Sequence, residues 1–348
     1  MKHSIITLLV LLTAWIAAQG INTKIIDKET GNPIAGITAF SDKGVILGIS
    51  NSLGEVDLGG VKNFPVTIRS IGFDPVVCDR PTKEIRLTHA EYQLAEVIVT
   101  PDDNMVKHVV CYLREYVSST THCDTTLHYN EHMVDFFLTD KKIKKFKPSK
   151  GPRILSSKLR TRKIYNDGRD SVFIPDAYDD TFSIPLSVLR IPSGVIPPKY
   201  CHPEGNEDTP GSKIKGMLLG FDVLADKKNH TWSPWQLKAI GCTTDVTEAQ
   251  MKLLVRPRAD CTFLEEDVQS LTLDTRMLAK GKIVKWMFDS KTPIDIRNYY
   301  ELYPVEVTYL TPEEAKDLQK NPPATPIKKA PAALPLTPGM RYIVEHAR

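Results

Sequence analysis

Hydrophobic and polar positions alternate in short runs through the first quarter of the chain. Ile21 to Ile26, Ile34 to Phe40, Val45 to Ser50, Glu55 to Leu58, Val66 to Ile71, Ile85 to Leu87 and Glu96 to Thr100 each have the pattern of a strand. Turn residues separate them, including Asp27-Lys28-Glu29-Thr30-Gly31-Asn32-Pro33 and Asn51-Ser52-Leu53-Gly54. Short strands recurring about every 8–12 residues, with Gly, Asn and Pro between them, indicate a sandwich or barrel. Pro33 lacks the N–H that a central strand needs, so it belongs to a turn or an edge. Residues 20–100 are therefore expected to form a β-sandwich.

The pattern changes after residue 100. Pro101-Asp102-Asp103-Asn104 reads as a linker with capping residues, and Val106, Val109, Val110, Leu113 and Val117 fall at helical spacing. This predicts an amphipathic helix over 104–118. After Cys123 the period returns to two, with Thr125, Leu127 and Tyr129 on one face, then Met133 to Leu138. Further strands are expected at Ile154 to Tyr165, Leu218 to Leu224, Leu253 to Val255, Val268 to Leu273, Gly281 to Phe288 and Leu302 to Tyr309. Residues 101–312 are thus expected to be an antiparallel α+β domain, with a curved half-barrel as one form of its sheet. The rest, 313–348, is a Pro/Ala/Lys-rich tail. Its proline density from Leu318 to Met340 favours an extended tether or arm, with Arg341 to Arg348 adding an edge strand.

The N-terminus reads MKHSIITLLVLLTAWIAAQG: a basic start, an apolar run from Ile5 to Ile16, then small residues. That is the layout of a signal peptide, taken as residues 1–19, with cleavage before Gln19 or after Gly20. The expectation is an exported protein, periplasmic, outer-membrane-associated or secreted, with no transmembrane segment in the mature chain. A net charge of +3 leaves no overall field to attract nucleic acid. Export would allow disulfides among Cys78, Cys111, Cys123, Cys201, Cys242 and Cys261. The nearest pairs are Cys111 with Cys123 and Cys242 with Cys261, and the absence of CxxC argues against a zinc ribbon or thioredoxin-type site.

The strings IIDKETGNPIAGITAF, GISNSLGEVDL and VTIRSIGFDP, closed by Leu94-Ala95-Glu96-Val97-Ile98-Val99-Thr100, resemble the carboxypeptidase regulatory-like domain of exported Bacteroidota proteins. The resemblance covers about a quarter of the chain. It implies a transthyretin-like sandwich without catalytic residues of its own. The segments Ile296 to Tyr303 and Leu310 to Ala315 resemble the middle region of larger Bacteroidota envelope proteins that continue into an outer-membrane barrel. This chain ends before any such barrel, so membrane insertion is not carried over from the resemblance.

Candidate chemistry is sparse. His128-Tyr129-Asn130-Glu131-His132 satisfies H-x-x-E-H, a zinc pattern when it lies on a helix. On a strand, His128 and His132 would be about 13 Å apart at roughly 3.3 Å per residue and could not share an ion. The flanking pattern favours the strand. His128 and Glu131, with His230 downstream, also echo a metallocarboxypeptidase ligand set, without a matching substrate-clamping arginine motif. G-x-S-x-G, the P-loop and G-x-G-x-x-G are absent. Trp232 and Trp235 would form either a carbohydrate-stacking platform or packing beneath a loop. Asn229-His230-Thr231 matches a glycosylation acceptor only formally.

No catalytic, cofactor or metal residue is therefore assigned. The expected function is a non-enzymatic exported module that binds glycan, envelope or protein partners. The alternative is a zinc-dependent hydrolase using His128, Glu131 and His132. The run Lys141-Lys142-Ile143-Lys144-Lys145-Phe146-Lys147, continuing to Lys150 and Arg153, is the densest charge. Such lysines commonly guard a solvated strand edge. Replacing them with glutamine is accordingly expected to leave retention on heparin or lipopolysaccharide within about twofold, as measured by column elution. Complete loss of retention would instead make them an anion-binding patch.

Overall fold

A computed structural model describes residues 22–90, 105–139, 143, 146–148, 152–167, 172–174, 194–195, 217–222, 242–255, 262–263, 268–281 and 293–346. The expected signal segment and the strand at Glu96 to Thr100 lie outside these residues. The protein is mainly β. Its N-terminal strands are β1 (Asn22–Asp27), β2 (Thr38–Phe40), β3 (Ile46–Ile49), β4 (Glu55–Asp57), β5 (Val66–Arg69), β6 (Val76–Cys78) and β7 (Glu84–Leu87). They form a three-stranded sheet, β4-β1-β7, and a four-stranded sheet, β3-β2-β5-β6. Between the two sheets, Ile25, Ile37, Ala39, Val56, Val66, Ile68 and Ile85 make a dry core. Gly54 closes the Asn51–Gly54 turn at φ +74°, and a Cβ there would meet the Ile25 carbonyl at 2.5 Å, so only glycine suits the position.

The second region is one antiparallel sheet. Its strands are β8 (Val106–Thr120), β9 (Asp124–Leu138), β10 (Arg153–Tyr165), β11 (Val172–Ile174), β13 (Met217–Asp222), β14 (Cys242–Val255), β16 (Val268–Gly281) and β17 (Ile294–Leu310), in the order β11-β10-β9-β8-β17-β16-β14-β13. The short strands β12 (Gly194–Val195) and β15 (Thr262–Phe263) pair separately.

The helix expected over 104–118 is instead β8. Fourteen of its fifteen residues are buried, so both faces are covered. Val109, Cys111 and Leu113 face one side, and Val110, Tyr112, Arg114 and Tyr116 the other. A strand buried on both faces has a near-continuous apolar run, which also contains apparent helical spacings. The β-branched Val106, Val109, Val110 and Val117 suit a pleated sheet better than a helix.

The tail is an arm seated on the sheet, and its end is helical. Thr311 caps α1 (Pro312–Lys320) through a reciprocal capping box with Glu314. Residues 321–337 run extended, burying Ala330 and Leu334. The edge strand expected over Arg341 to Arg348 is instead α2 (Pro338–His346), started by Pro338, which tolerates only a first-turn position. Met340 and Ile343, three apart, pack with Phe40, Ile46, Tyr116, Tyr129 and Tyr299. Neither α1 nor α2 is long and apolar enough to cross a membrane.

The sandwich and arm meet the same face of the large sheet. Register aligns that face in cross-strand rows. One is Glu301, Arg114 and Glu131; the next is Asp274, Tyr299, Tyr116, Tyr129 and Arg160. Arg69, on β5 of the sandwich, reaches Glu301 on β17 with two donors, at 2.5 and 2.9 Å. Both side chains are fully buried. Arg114 adds a contact to Glu301 at 3.3 Å, and the Tyr299 and Tyr303 hydroxyls donate to the same carboxylate. The arginines also donate to the arm: Arg114 to the Leu334 carbonyl at 2.6 Å, and Arg69 to the Pro335 carbonyl. Burial would raise the Glu301 carboxyl, but the two arginines and the Tyr299 hydroxyl outweigh it and hold the group below its ordinary value.

Removing one partner of a buried ion pair strands the other charge. Arg69→Ala is therefore expected to destabilise the fold by about 3–5 kcal/mol in urea denaturation. The exposed Arg86→Ala should stay within about 0.5 kcal/mol of the parent.

Candidate functional site

The structure disperses the residues of the H-x-x-E-H pattern. Residues 124–138 form a strand, so His128 and His132 lie on one face and Glu131 on the other. His128 Nδ1 meets the Thr161 hydroxyl at 2.9 Å, and His132 Nε2 meets Glu115 at 3.1 Å. Glu131 accepts from Tyr112 at 2.5 Å and from Arg160 at 2.8 Å. Each group is thus engaged in a separate cross-strand bond, and no cluster of three metal-ligating side chains occurs among the described residues. This geometry gives the zinc alternative no ligand set at these positions. His230, Trp232 and Trp235 lie outside the described residues, as do Lys141, Lys142, Lys144, Lys145 and Lys150.

Cys111 and Cys123, one of the two nearest pairs along the chain, form no disulfide. Cys111 is buried in the middle of β8, Cys123 is exposed at the β8–β9 turn, and both are free thiols, as is Cys78. The Cys242–Cys261 pairing falls outside what is described. Arg153, the end of the basic run, is engaged elsewhere: it pairs with Asp135 and donates to the Leu318 and Gln319 carbonyls at the end of α1.

Asp135 also closes a row that no sequence motif signals, because its members are far apart in the chain. Thr308 Oγ1 lies 3.3 Å from His108 Nδ1, and His108 Nε2 lies 2.9 Å from Asp135 Oδ2. A hydroxyl, imidazole and carboxylate in this order can activate a nucleophile. Here Arg153 takes the carboxylate as an ion pair, and burial of Val106, Phe137 and Ala315 closes α1 over that end of the sheet. The row packs the sheet.

The site open to solvent lies between the sandwich and the large sheet. It is a cleft of about 620 Å³ beside the edge strand β3, within the few-hundred-to-thousand Å³ range of ligand sites. Half-buried Val45, Leu47, Ile49 and Val61 give it an apolar floor. Arg276 and Arg297 form the wall on the sheet side. Arg276 is paired with Asp295 and Glu248, while Arg297 donates to the Leu47 carbonyl and so covers part of the β3 edge. On the rim, Lys43 and Lys62 are exposed, and no carboxylate among the described residues pairs with either. The cleft therefore offers apolar area, exposed ammonium groups and fixed guanidinium groups, with the carboxylates of Asp42, Asp57 and Glu248 also in its lining. Sequence reasoning did not find it, because its lining comes from residues 41–63, 248, 276 and 297.

No protein-family model matches the chain, and no curated protein matches it. Among solved structures, one described as "Lipid-protein interactions in lipovitellin" aligns with 60% of this chain at 8% identity and a TM-score of 0.28. The chain spans 26% of that structure's length. At that TM-score the likeness carries no argument about fold or function.

Replacing His128 and His132 together with alanine is expected to leave the zinc content of the purified protein unchanged. His132→Ala alone should cost about 1–3 kcal/mol in urea unfolding by depriving buried Glu115 of one of its two partners, the other being the Tyr300 hydroxyl. Stoichiometric zinc that disappears in the double variant would restore the metallohydrolase reading.

Proposed function

We propose that the protein is an exported, non-catalytic binding module that takes a glycan, envelope or protein partner in the cleft beside β3. One observation carries this reading. Buried charges such as Glu301 and Glu131 are held by arginines, whereas Lys43 and Lys62 are exposed over a partly apolar floor, with no carboxylate partner among the described residues. A site with apolar area and a few convergent polar groups is a natural place for a ligand. The signal-like residues 1–19 support export. The resemblance of the 21–100 strings to the carboxypeptidase regulatory-like domain supports a Bacteroidota envelope setting and a sandwich without catalysis of its own. The guanidinium groups of Arg276 and Arg297, tied to the Leu47 carbonyl and to Asp295, hold the wall in place, which lowers the ordering cost of binding.

The test compares the parent with Lys43→Glu/Lys62→Glu on a glycan array and against purified envelope components. Both lysines are exposed, so the melting temperature should stay within about 2 °C. Binding should weaken at least about tenfold, the scale of losing two charge-assisted contacts. Ligands bound equally well by parent and variant would remove the cleft from the function.

A further inference from the structure

Asp274 sits where the sandwich lands on the large sheet. Its side chain, on β16, is 1% exposed, and the Thr38 hydroxyl of β2 donates to it at 2.5 Å. Every element around it contributes charge or polarity. From β14 come Lys252, whose ammonium donates to Ser70 of the sandwich at 3.0 Å, and Glu248. From β17 come Glu301 and Tyr299, and from β5 comes Arg69, already committed to Glu301 with two donors. The two arginines of the joint therefore serve Glu301. Asp274 keeps a hydroxyl, one neighbouring ammonium and two further anions, Glu301 and Glu248, close by. In a buried site, the carboxyl left with fewer cations resists ionisation.

We propose that Asp274 makes the joint between sandwich and sheet proton-sensitive: the two dock tightly over a neutral Asp274 and loosen when it ionises. Burial, the largest influence, raises the carboxyl. Thr38 and Lys252 oppose that rise, Glu301 and Glu248 add to it, and the outcome is a group pushed up to about 7 from an ordinary 3.8. The docked value exceeds the undocked one, so the stabilisation from the bound proton is complete below about 3.8. It is lost as pH rises through about 7. Across that window the docking equilibrium can change by up to roughly a thousandfold, tenfold for each unit. The cleft beside β3 has walls on both sides of this joint, so its shape follows the same proton.

The full chain and Asp274→Asn would be compared at pH 5 and pH 8 by urea unfolding and by hydrogen exchange, corrected for intrinsic rate, at β2 and β5. An amide accepts the Thr38 hydroxyl without carrying charge. The parent should lose at least about tenfold protection at β2 and β5 from pH 5 to pH 8, whereas Asp274→Asn should hold its protection and match or exceed the parent's stability at pH 8. Equal losses in both proteins, or equal destabilisation of the variant at both pH values, would overturn the proposal. Lys252→Met supplies a second check. Removing the ammonium that favours ionisation should move the parent's loss of protection to higher pH, and an unmoved transition counts against it.

Discussion

Glu301 is fully buried and held charged, and it is so because two arginines arrive from different strands. Arg114 comes from the neighbouring strand of the same sheet, and Arg69 from the sandwich more than two hundred residues earlier. A lone carboxylate in this place would be strongly disfavoured. The pair makes docking of the sandwich a condition for burying β17, and the spare arginine donors reach carbonyls of the C-terminal arm. Sandwich, sheet and arm are thus joined at one carboxylate. The aromatic rows around it, with Tyr116, Tyr129 and Tyr299 side by side, supply the apolar area that makes the joint close-packed.

That arrangement divides the available cations unequally. Glu301 holds both arginines, and Asp274, on the adjacent strand of the same interface, is left with a hydroxyl and a neighbouring ammonium. The contrast between two buried carboxyls explains why one is held charged and the other resists charge. The same docking forms the cleft beside β3, whose floor belongs to the sandwich and whose guanidinium wall belongs to the large sheet. Architecture, charge and the open site are therefore consequences of one interface.

Much of the strand inventory was legible from pattern, because turn chemistry punctuates it. Thr30-Gly31-Asn32-Pro33 and Asn51 to Gly54 bracket strands where expected, and β10, β13 and β17 fall on their apolar runs. The run at 104–118 was interpreted as if one face met water, whereas in the fold β8 is covered on both faces. The edge strand expected over Arg341 to Arg348 is a helix because Met340 and Ile343, three apart, both pack against Phe40 and Ile46 of the sandwich. Periodicity reports exposure contrast, and where that contrast vanishes the period carries no assignment. His128, Glu131 and His132 show the reverse case. Their flanking residues marked a strand, and a strand separates them as the pleat requires.

By itself the sequence determined a mainly β chain, the positions of its turns, and the incompatibility of one histidine motif with a shared ion, since these follow from local spacing and backbone sterics. Only the tertiary structure decided which charges are paired, that the tail is an arm ending in a helix, and that a cleft opens beside β3. Those features bring together residues 36 to 69 with residues 248 to 343. Local pattern cannot encode such contacts, because their energies depend on desolvation and partner geometry that exist only after the chain has packed.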